Sequence, residues 1–358
     1  CENPFLYTLK IILKRNGKVI DGIHWHFGLR EFTIKKNYFV LNNKRIVLKG
    51  VLDQGIYAKT LVYPAGPREV AREIRLLKQA GFNFIRLHIK PTPEPILDAC
   101  DEAGILLLAE PQTGWIGKSD KTIPRCKNCV RQLVQRDRNR TAVVMWCIFN
   151  EVGHANFLRE GGDLKKLVTE CHNIIHQLDP TRIIMDNSGV SYGGAHYFMP
   201  YENKSRVWAE DHIYINPPFT WSDYQRLANL GKEGNLLVFV SEFGVGAAPD
   251  FDKVLNSFSA KDKKLNLQDY RQWKEFRDSL WEGFKKYSIH KVFKNLREFS
   301  LASQQVSKEG NNAYVRALRT NPRTSGYVVT QWADAASENA GIVAVSYTHL
   351  TLPTNSTV

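Results

Sequence analysis

Residues 81–110, GFNFIRLHIKPTPEPILDACDEAGILLLAE, hold two short apolar runs separated by one helical stretch. The runs FNFIRLH and ILLLAE are nearly continuous in apolar character, which suits parallel strands buried on both faces. Between them, PEPILDACDEAG opens on prolines and closes on Gly104, a residue that readily takes the left-handed conformation ending a helix. Strand, helix and strand with short connections make a βαβ unit.

The same alternation extends in both directions. Upstream lie the strand RIVLKGV and the helix PREVAREIRLLKQAG; downstream lie AVVMWCIFNE, RIIMDNS, RVWAEDHIY, LLVFVSEFG and SGYVVTQW, with helical stretches such as DLKKLVTECHNIIHQLD among them. Eight strands, mostly followed by helices, predict an α/β chain folded as a (β/α)₈ TIM barrel rather than an open doubly wound sheet. No G-x-G-x-x-G follows the first strand, which speaks against a dinucleotide fold. Ahead of the barrel, LYTLKIILKR and KVIDGIHWHF flank Asn16-Gly17, a strong hairpin turn, and read as the tail of an all-β domain. A second hairpin is predicted from YFVLNN and KRIVLKGV, turning near Asn42-Asn43.

The formal net charge is +13, from 49 lysines and arginines against 36 acidic residues. These charges are spread out, with one denser stretch from Lys261 to Arg297. There Trp273, Phe276, Leu280, Phe284 and Tyr287 recur at helical spacing, so the charges read as the wet side of an amphipathic helix. No nucleic-acid motif accompanies them, and no nucleic-acid partner is expected. No run of eighteen apolar residues is present, so no membrane-spanning helix and no membrane partner are expected. The basic helical insertion from about Phe251 to Asn295 is a candidate for covering one side of the barrel mouth, or for contacting another subunit of a homo-oligomer. Six scattered cysteines do not make a disulfide scaffold, and the lone pair Cys126 and Cys129 lacks a second pair of zinc ligands. No metal and no cofactor are expected.

In a (β/α)₈ barrel the reactive side chains project from the C-terminal ends of the strands. Strand two ends in Arg86 and His88, strand three in Glu110, strand four in Asn150 and Glu151. Strand six ends in His212 and Tyr214, strand seven in Glu242 and strand eight in Trp332. Two carboxylates facing each other across one mouth suit glycoside hydrolysis. One protonates the leaving oxygen while the other meets the oxocarbenium centre; a gap of about 5–5.5 Å implies covalent attack and retention, about 6.5–9.5 Å inversion through water. Glu151 is expected to hold the proton, with a raised pKa. Glu242 is expected to stay ionised beside Arg86 and Tyr214, while Trp332 offers an aromatic floor to a sugar ring. His88, His212 and Glu110 complete the candidate sugar-binding set.

Several segments resemble glycoside hydrolase family 2. RDRNRTAVVMWCIFNE looks like its acid/base segment, VFVSEFG its nucleophile strand, GFNFIRLHIKPTPEPILDACDEAGILLLAE its second helix-strand unit and GYVVTQWADAASENAG its eighth strand. ENPFLYTL and GLREFTI resemble the end of the immunoglobulin-like domain that precedes the barrel in that family. The resemblance, running from about Glu2 to Ala344, implies a retaining exo-β-glycosidase of the β-galactosidase, β-glucuronidase and β-mannosidase group, acting on a terminal β-linked sugar without an organic cofactor. It implies Glu151 as acid/base, Glu242 as nucleophile and Asn150 on the sugar 2-hydroxyl. Arg140-Thr141 departs from the family's usual His-Pro. An endo-acting retaining barrel glycosidase and a non-catalytic carbohydrate-binding barrel are the alternative readings.

Three segments are therefore expected: residues 1–33, the end of an immunoglobulin-like β-sandwich; residues 34–344, a catalytic barrel incomplete at its C-terminal end; and residues 345–358. The last, VSYTHLTLPTNSTV, shows neither helical period nor strand alternation and resembles a translated sequencing adapter, so natural sequence is expected to end near Ala344. The chain opens at Cys1 with no leader-like segment, and periplasmic, secreted and cytoplasmic locations all stay open.

Overall fold

The computed structural model describes residues 4–343 apart from 58, 59, 61, 153–155, 190–207, 336 and 337. The expected tail at 345–358 lies outside the described residues. Strands β1 (Tyr7–Arg15) and β2 (Lys18–Phe27) form an antiparallel hairpin. Asn16 and Gly17 both take positive φ at its tip, as the sequence predicts. A three-stranded antiparallel sheet follows: β3 (Phe32–Lys35), β4 (Tyr38–Leu41) and β5 (Lys44–Arg45). Asn42 and Asn43 make the β4–β5 turn with positive φ. The partner of β4 in that turn is the two-residue β5, however, and the rest of RIVLKGV leaves the hairpin to become the first barrel strand. A tight turn at Lys36-Asn37, joining β3 to β4, was not anticipated. It places Phe32 in the barrel's part of the chain, just ahead of the expected boundary at residue 34.

The barrel strands are β6 (Leu48–Asp53), β7 (Phe84–Leu87), β8 (Leu106–Ala109), β9 (Val143–Asn150), β10 (Ile183–Ser188), β11 (Trp208–His212), β12 (Leu237–Phe243) and β13 (Thr324–Thr330). All eight predicted strands occur. They pair in parallel in the order β10-β9-β8-β7-β6-β13-β12-β11. Helices α1 (Pro67–Gln79), α2 (Glu94–Ala103) and α3 (Thr122–Asp137) follow the first three barrel strands. The short α4 (Asn156–Arg159) and α5 (Leu164–Leu178) follow β9, and α6 (Trp221–Ala228) follows β11. As predicted, α2 ends at Gly104 in the left-handed conformation. After β12 come α7 (Phe251–Asn256), α8 (Ala260–Lys264), α9 (Gln268–Lys286) and α10 (Leu296–Thr320). The basic insertion is thus helical, and Phe251, Val254, Leu255, Phe258 and Trp273 give it a small core of its own.

The terminal strands of the sheet order, β10 and β11, meet through side chains. Ser188 Oγ and Gly189 N both donate to the buried Glu210 carboxylate, at 3.1 Å and 3.0–3.1 Å. Ser241 on β12 donates to the same carboxylate. A buried carboxylate that accepts several bonds retains partners it would otherwise lose with water, so Glu210 fastens the seam of the barrel.

Two apolar layers hold the fold. One fills the space between barrel and helices; the other fills the barrel interior and contains Leu48, Phe84, Leu106, Met145, Leu237, Phe239 and Val328. Phe32 and Phe39 of the small sheet join this inner layer: Phe39 packs edge-on against Phe239 with centroids 5.8 Å apart. The small sheet therefore plugs one end of the interior and leaves the other for polar groups. The Arg140-Thr141 departure also finds a purpose here. Thr141 Oγ1 accepts from Gly28 N at 2.7 Å, a bond that proline has no hydroxyl to make, and Arg140 lies 5.2 Å over the Trp25 ring. Both tie the hairpin to the barrel.

Room for the interior phenylalanines comes from glycine. A Cβ on Gly326 would meet Phe239 Cδ2 at 2.7 Å and Leu48 Cβ at 3.0 Å. Gly326→Ala is therefore expected to lower stability by about 1–3 kcal/mol. Denaturant unfolding reads this directly, and an unchanged midpoint would mean that the inner layer is looser than described.

Candidate active site

The polar end of the barrel is organised around Arg86. Its inward direction follows from strand parity, two residues after the interior Phe84. The guanidinium is fully buried and meets five neighbours, among them His212, whose Nε2 lies 3.3 Å from Nη1. Nε donates to Glu110 Oε1 at 2.7 Å, Nη1 to Glu242 Oε1 at 2.8 Å and to Ser241 O at 3.2 Å, and Nη2 to Asn150 Oδ1. Glu110 also accepts from Ile89 N at 2.9 Å. One residue of β7 is thereby bound to groups on or just beyond β8, β9 and β12. Although burial works against its charge, the two carboxylates push the Arg86 pKa above its ordinary value.

Glu242 receives a second donor, Tyr214 Oη, at 2.7 Å on Oε2. Burial is the largest influence on Glu242 and raises its pKa, while His212, Arg86 and the Tyr214 hydroxyl pull it back down. Burial thus opposes the Arg86 and Tyr214 contacts that were expected to keep this carboxyl ionised.

Glu151 stands one residue beyond β9. Its φ of 46° lies in the left-handed region, uncommon for a side-chain-bearing residue. Its amide donates to Ser188 O at 2.8 Å, and its Oε1 lies 2.6 Å from His212 Nδ1. His212 Nε2 lies 2.8 Å from Ser188 Oγ and 3.3 Å from Glu242 Oε1. The imidazole thus stands between the two carboxylates, and burial lowers its pKa to about 4. One carboxylate oxygen from each glutamate and one His212 nitrogen all lie within 4.8 Å of one another. These donors are close enough to share an ion, but the direct bonds among Glu151, His212, Arg86, Tyr214 and Glu242 account for their arrangement without one.

A cavity of about 470 Å³ opens above these groups, lined by Gln54, His88, Trp115, Asn150, Glu151, Tyr214, Glu242 and Glu338 together with Ile56, Ile89 and Ala335. Of the residues expected from the sequence, Glu151, Glu242, Asn150, His88 and Tyr214 line it. Arg86, Glu110 and His212 lie behind that lining and hold it. Trp332 is placed differently from the expectation of a sugar floor. It is fully buried in the layer between barrel and helices, edge-on to Phe82 at 6.3 Å, because it lies two residues past the end of β13, where strand parity no longer aims side chains. Two exposed aromatics line the cavity, Tyr214 and Trp115, and Trp115 makes an edge contact with His88 at 6.0 Å.

Gln54, Trp115 and Glu338 were missed. Gln54 immediately follows β6, so the strand-end rule, applied to strand one, would have found it. Trp115 and Glu338 lie on loops, where no periodicity points to them. Gln54 Nε2 donates to Glu338 Oε2 at 2.8 Å, and Gln54 Oε1 lies 3.1 Å from His88 Nδ1. Burial raises the Glu338 pKa, the Gln54 bond opposes this, and Glu151 raises it further. His88 is held neutral, since burial above all, together with Arg86 and His212, lowers its pKa well below the ordinary range.

Comparison with known proteins agrees with this geometry. Residues 32–199 match the family description "Glycosyl hydrolases family 2, TIM barrel domain". A putative beta-glucuronidase of Formosa agariphila is 31% identical over 186 residues, covering 51% of this chain and 22% of that protein. The beta-glucuronidase of Mus musculus is 25% identical over 346 residues, covering 92% of this chain and 50% of its own length. The chain thus spans about half or less of these curated relatives. The crystal structure of Parabacteroides merdae beta-glucuronidase superposes with a TM-score of 0.68 at 19% identity, over 98% of this chain and 41% of that one, a likeness of fold. With an eight-stranded parallel barrel carrying two facing glutamates, and a barrel-domain match that spans Arg86, Asn150 and Glu151, the chain is similar to glycoside hydrolase family 2 over residues 32–199.

Proposed function

We propose that this barrel hydrolyses terminal β-linked sugars by double displacement, with Glu242 as nucleophile and Glu151 as general acid/base. The observation that carries this reading is the approach of the two carboxylates within 4.8 Å, from the ends of β9 and β12. One oxygen of each carboxylate within 4.8 Å of the other supports the close-set pair of retaining enzymes, spaced roughly 5–5.5 Å, over the about 6.5–9.5 Å of inverting ones. In the first step Glu242 attacks the anomeric carbon while Glu151 gives its proton to the departing oxygen. In the second, Glu151 takes a proton from water, which displaces Glu242. Asn150 is suited to the sugar 2-hydroxyl and Trp115 to an apolar sugar face. Arg86, Glu110 and His212 orient the two carboxylates rather than touch the sugar. The hairpin β1–β2 is read as the end of an immunoglobulin-like domain ahead of the barrel.

A panel of aryl β-glycosides tests the reaction. The first-formed sugar, followed by NMR, is expected to keep the β configuration; an α product would defeat double displacement. Glu242→Gln is expected to lower kcat/KM by more than about a thousandfold. Glu151→Gln should cost about 10²–10⁴-fold, and less for the best leaving groups, which need no proton. Equal losses across leaving groups would remove Glu151 from the acid role.

Tyr214 gives a pH test. Its hydroxyl favours the charged form of Glu242, so removing it raises the carboxyl's pKa. The nucleophile must be ionised, so activity falls as pH drops through that pKa. In Tyr214→Phe the acidic limb of the kcat/KM profile should therefore move to higher pH. A limb that stays in place or moves down would show that another group sets it.

A further inference from the structure

At the end of the barrel opposite the reacting pair, a second cavity of about 470 Å³ lies between the β1–β2 hairpin and the barrel. Trp25 and Phe27 of β2 line it, and so do four arginines, Arg30, Arg138, Arg140 and Arg182. Arg138 and Arg140 stand just ahead of β9 and Arg182 just ahead of β10, whereas Glu151 follows the far end of β9. At about 3.3 Å per residue, the length of β9 puts roughly 25 Å between this crevice and the active site.

Neighbouring acids meet these arginines unequally. Arg182 Nη1 donates to Asp179 Oδ2 at 2.7 Å, and Arg140 Nη1 donates to Asp98, with Asp101 at 3.6 Å. The direct partners of the other two are backbone carbonyls. Arg30 donates to Thr141 O at 3.1 Å and to Val143 O, and Arg138 Nη1 donates to Leu178 O at 3.2 Å. Among the described residues, Arg30 Nη1 and Arg138 Nε and Nη2 make no hydrogen bond. Burial, then the field of Arg182, lowers the Arg30 pKa to about 10, against the pull of Asp179 and Asp101. Like charges gathered in a partly buried crevice repel one another, and an anion placed among them relieves that repulsion. The guanidinium fork suits an oxyanion in particular, because two oxygens of one group accept two N–H bonds at once.

We infer that this crevice binds a multiply charged oxyanion, sulfate or phosphate, held chiefly by Arg30 and Arg138, and that the bound anion clasps the hairpin to the barrel. A free ion and an ester carried on a sugar present the same oxygens, and the experiment separates these two sources. The inference is independent of the glycosidase reading, since none of the four arginines lines the catalytic cavity.

Calorimetric titration of the full chain with sodium sulfate, at an ionic strength held constant with chloride, is expected to show saturable binding. Arg138→Gln should weaken it about tenfold, the loss of one charge-assisted bond, and Arg30→Gln at least as much. Arg138→Lys, which keeps the charge and loses the fork, should fall between Arg138→Gln and the unaltered chain. Unfolding midpoints without sulfate report whether each variant is folded. Arg138 is exposed and holds a single carbonyl, so its variants carry the test even if Arg30→Gln does not fold. Galactose 6-sulfate, titrated into the unaltered chain and into Arg138→Gln so that binding elsewhere cancels, identifies the source. Arg138-dependent binding tighter than that of sulfate assigns the site to a sugar ester, and equal or weaker binding assigns it to the free ion. Saturable binding of neither probe, or binding of both that Arg138→Gln leaves unchanged, overturns the inference.

Discussion

The site depends on one buried cation. A guanidinium taken wholly out of water is tolerable only when its donors are matched by charged or strongly polar acceptors in good geometry. Arg86 meets that requirement by drawing Glu110, Glu242 and Asn150 onto a single planar group. The demand runs both ways. Each of those side chains is itself buried and needs the arginine, so four barrel strands are held in one relative placement by electrostatic necessity as well as by backbone pairing. The inner aromatic layer beneath supplies the floor on which this network sits.

Among the described residues that line the cavity the charged side chains are glutamates, and the proposed chemistry uses their proximity. Glu242 and Glu151 lie close enough that a charge on one disfavours a charge on the other. While Glu242 is an anion, Glu151 is therefore encouraged to keep its proton for the leaving group. Esterification of Glu242 would cancel that charge and make it easier for Glu151 to lose its proton, as the second step requires. His212, bonded towards both carboxylates and largely neutral, fixes their relative position without contributing a lasting positive charge that would quench the coupling.

Much of the fold and the proposed reacting pair was legible because both obey simple periodic rules. Runs such as ILLLAE and LLVFVSEFG announce strands buried on both faces, and the end of each run marks the rim where Arg86, Glu151 and Glu242 stand. Alternation along a strand also explains why Arg86 points inward above Phe84. The rule expires where the strand does. Trp332, two residues past Thr330, turns into the outer layer, and nothing in the local sequence marks that change of course. The Lys36-Asn37 turn was hidden for a related reason: it lacks the Asn-Gly pair that marked the first hairpin, and only the docking of Phe32 and Phe39 under the barrel makes it useful.

What resisted reading was the division of labour between strands and loops. The strands carry Asn150 and Glu242 and lead directly into Glu151, and their geometry is fixed by barrel closure, so a match to family 2 over residues 32–199 speaks strongly about fold and chemistry. Gln54, Trp115 and Glu338 also line the cavity, on segments whose placement depends on contacts remote in sequence: Gln54 and Glu338 are 284 positions apart. Loops can exchange such residues at little cost to the barrel, because few buried apolar contacts depend on them. A relative's name therefore transfers the reaction more securely than the substrate.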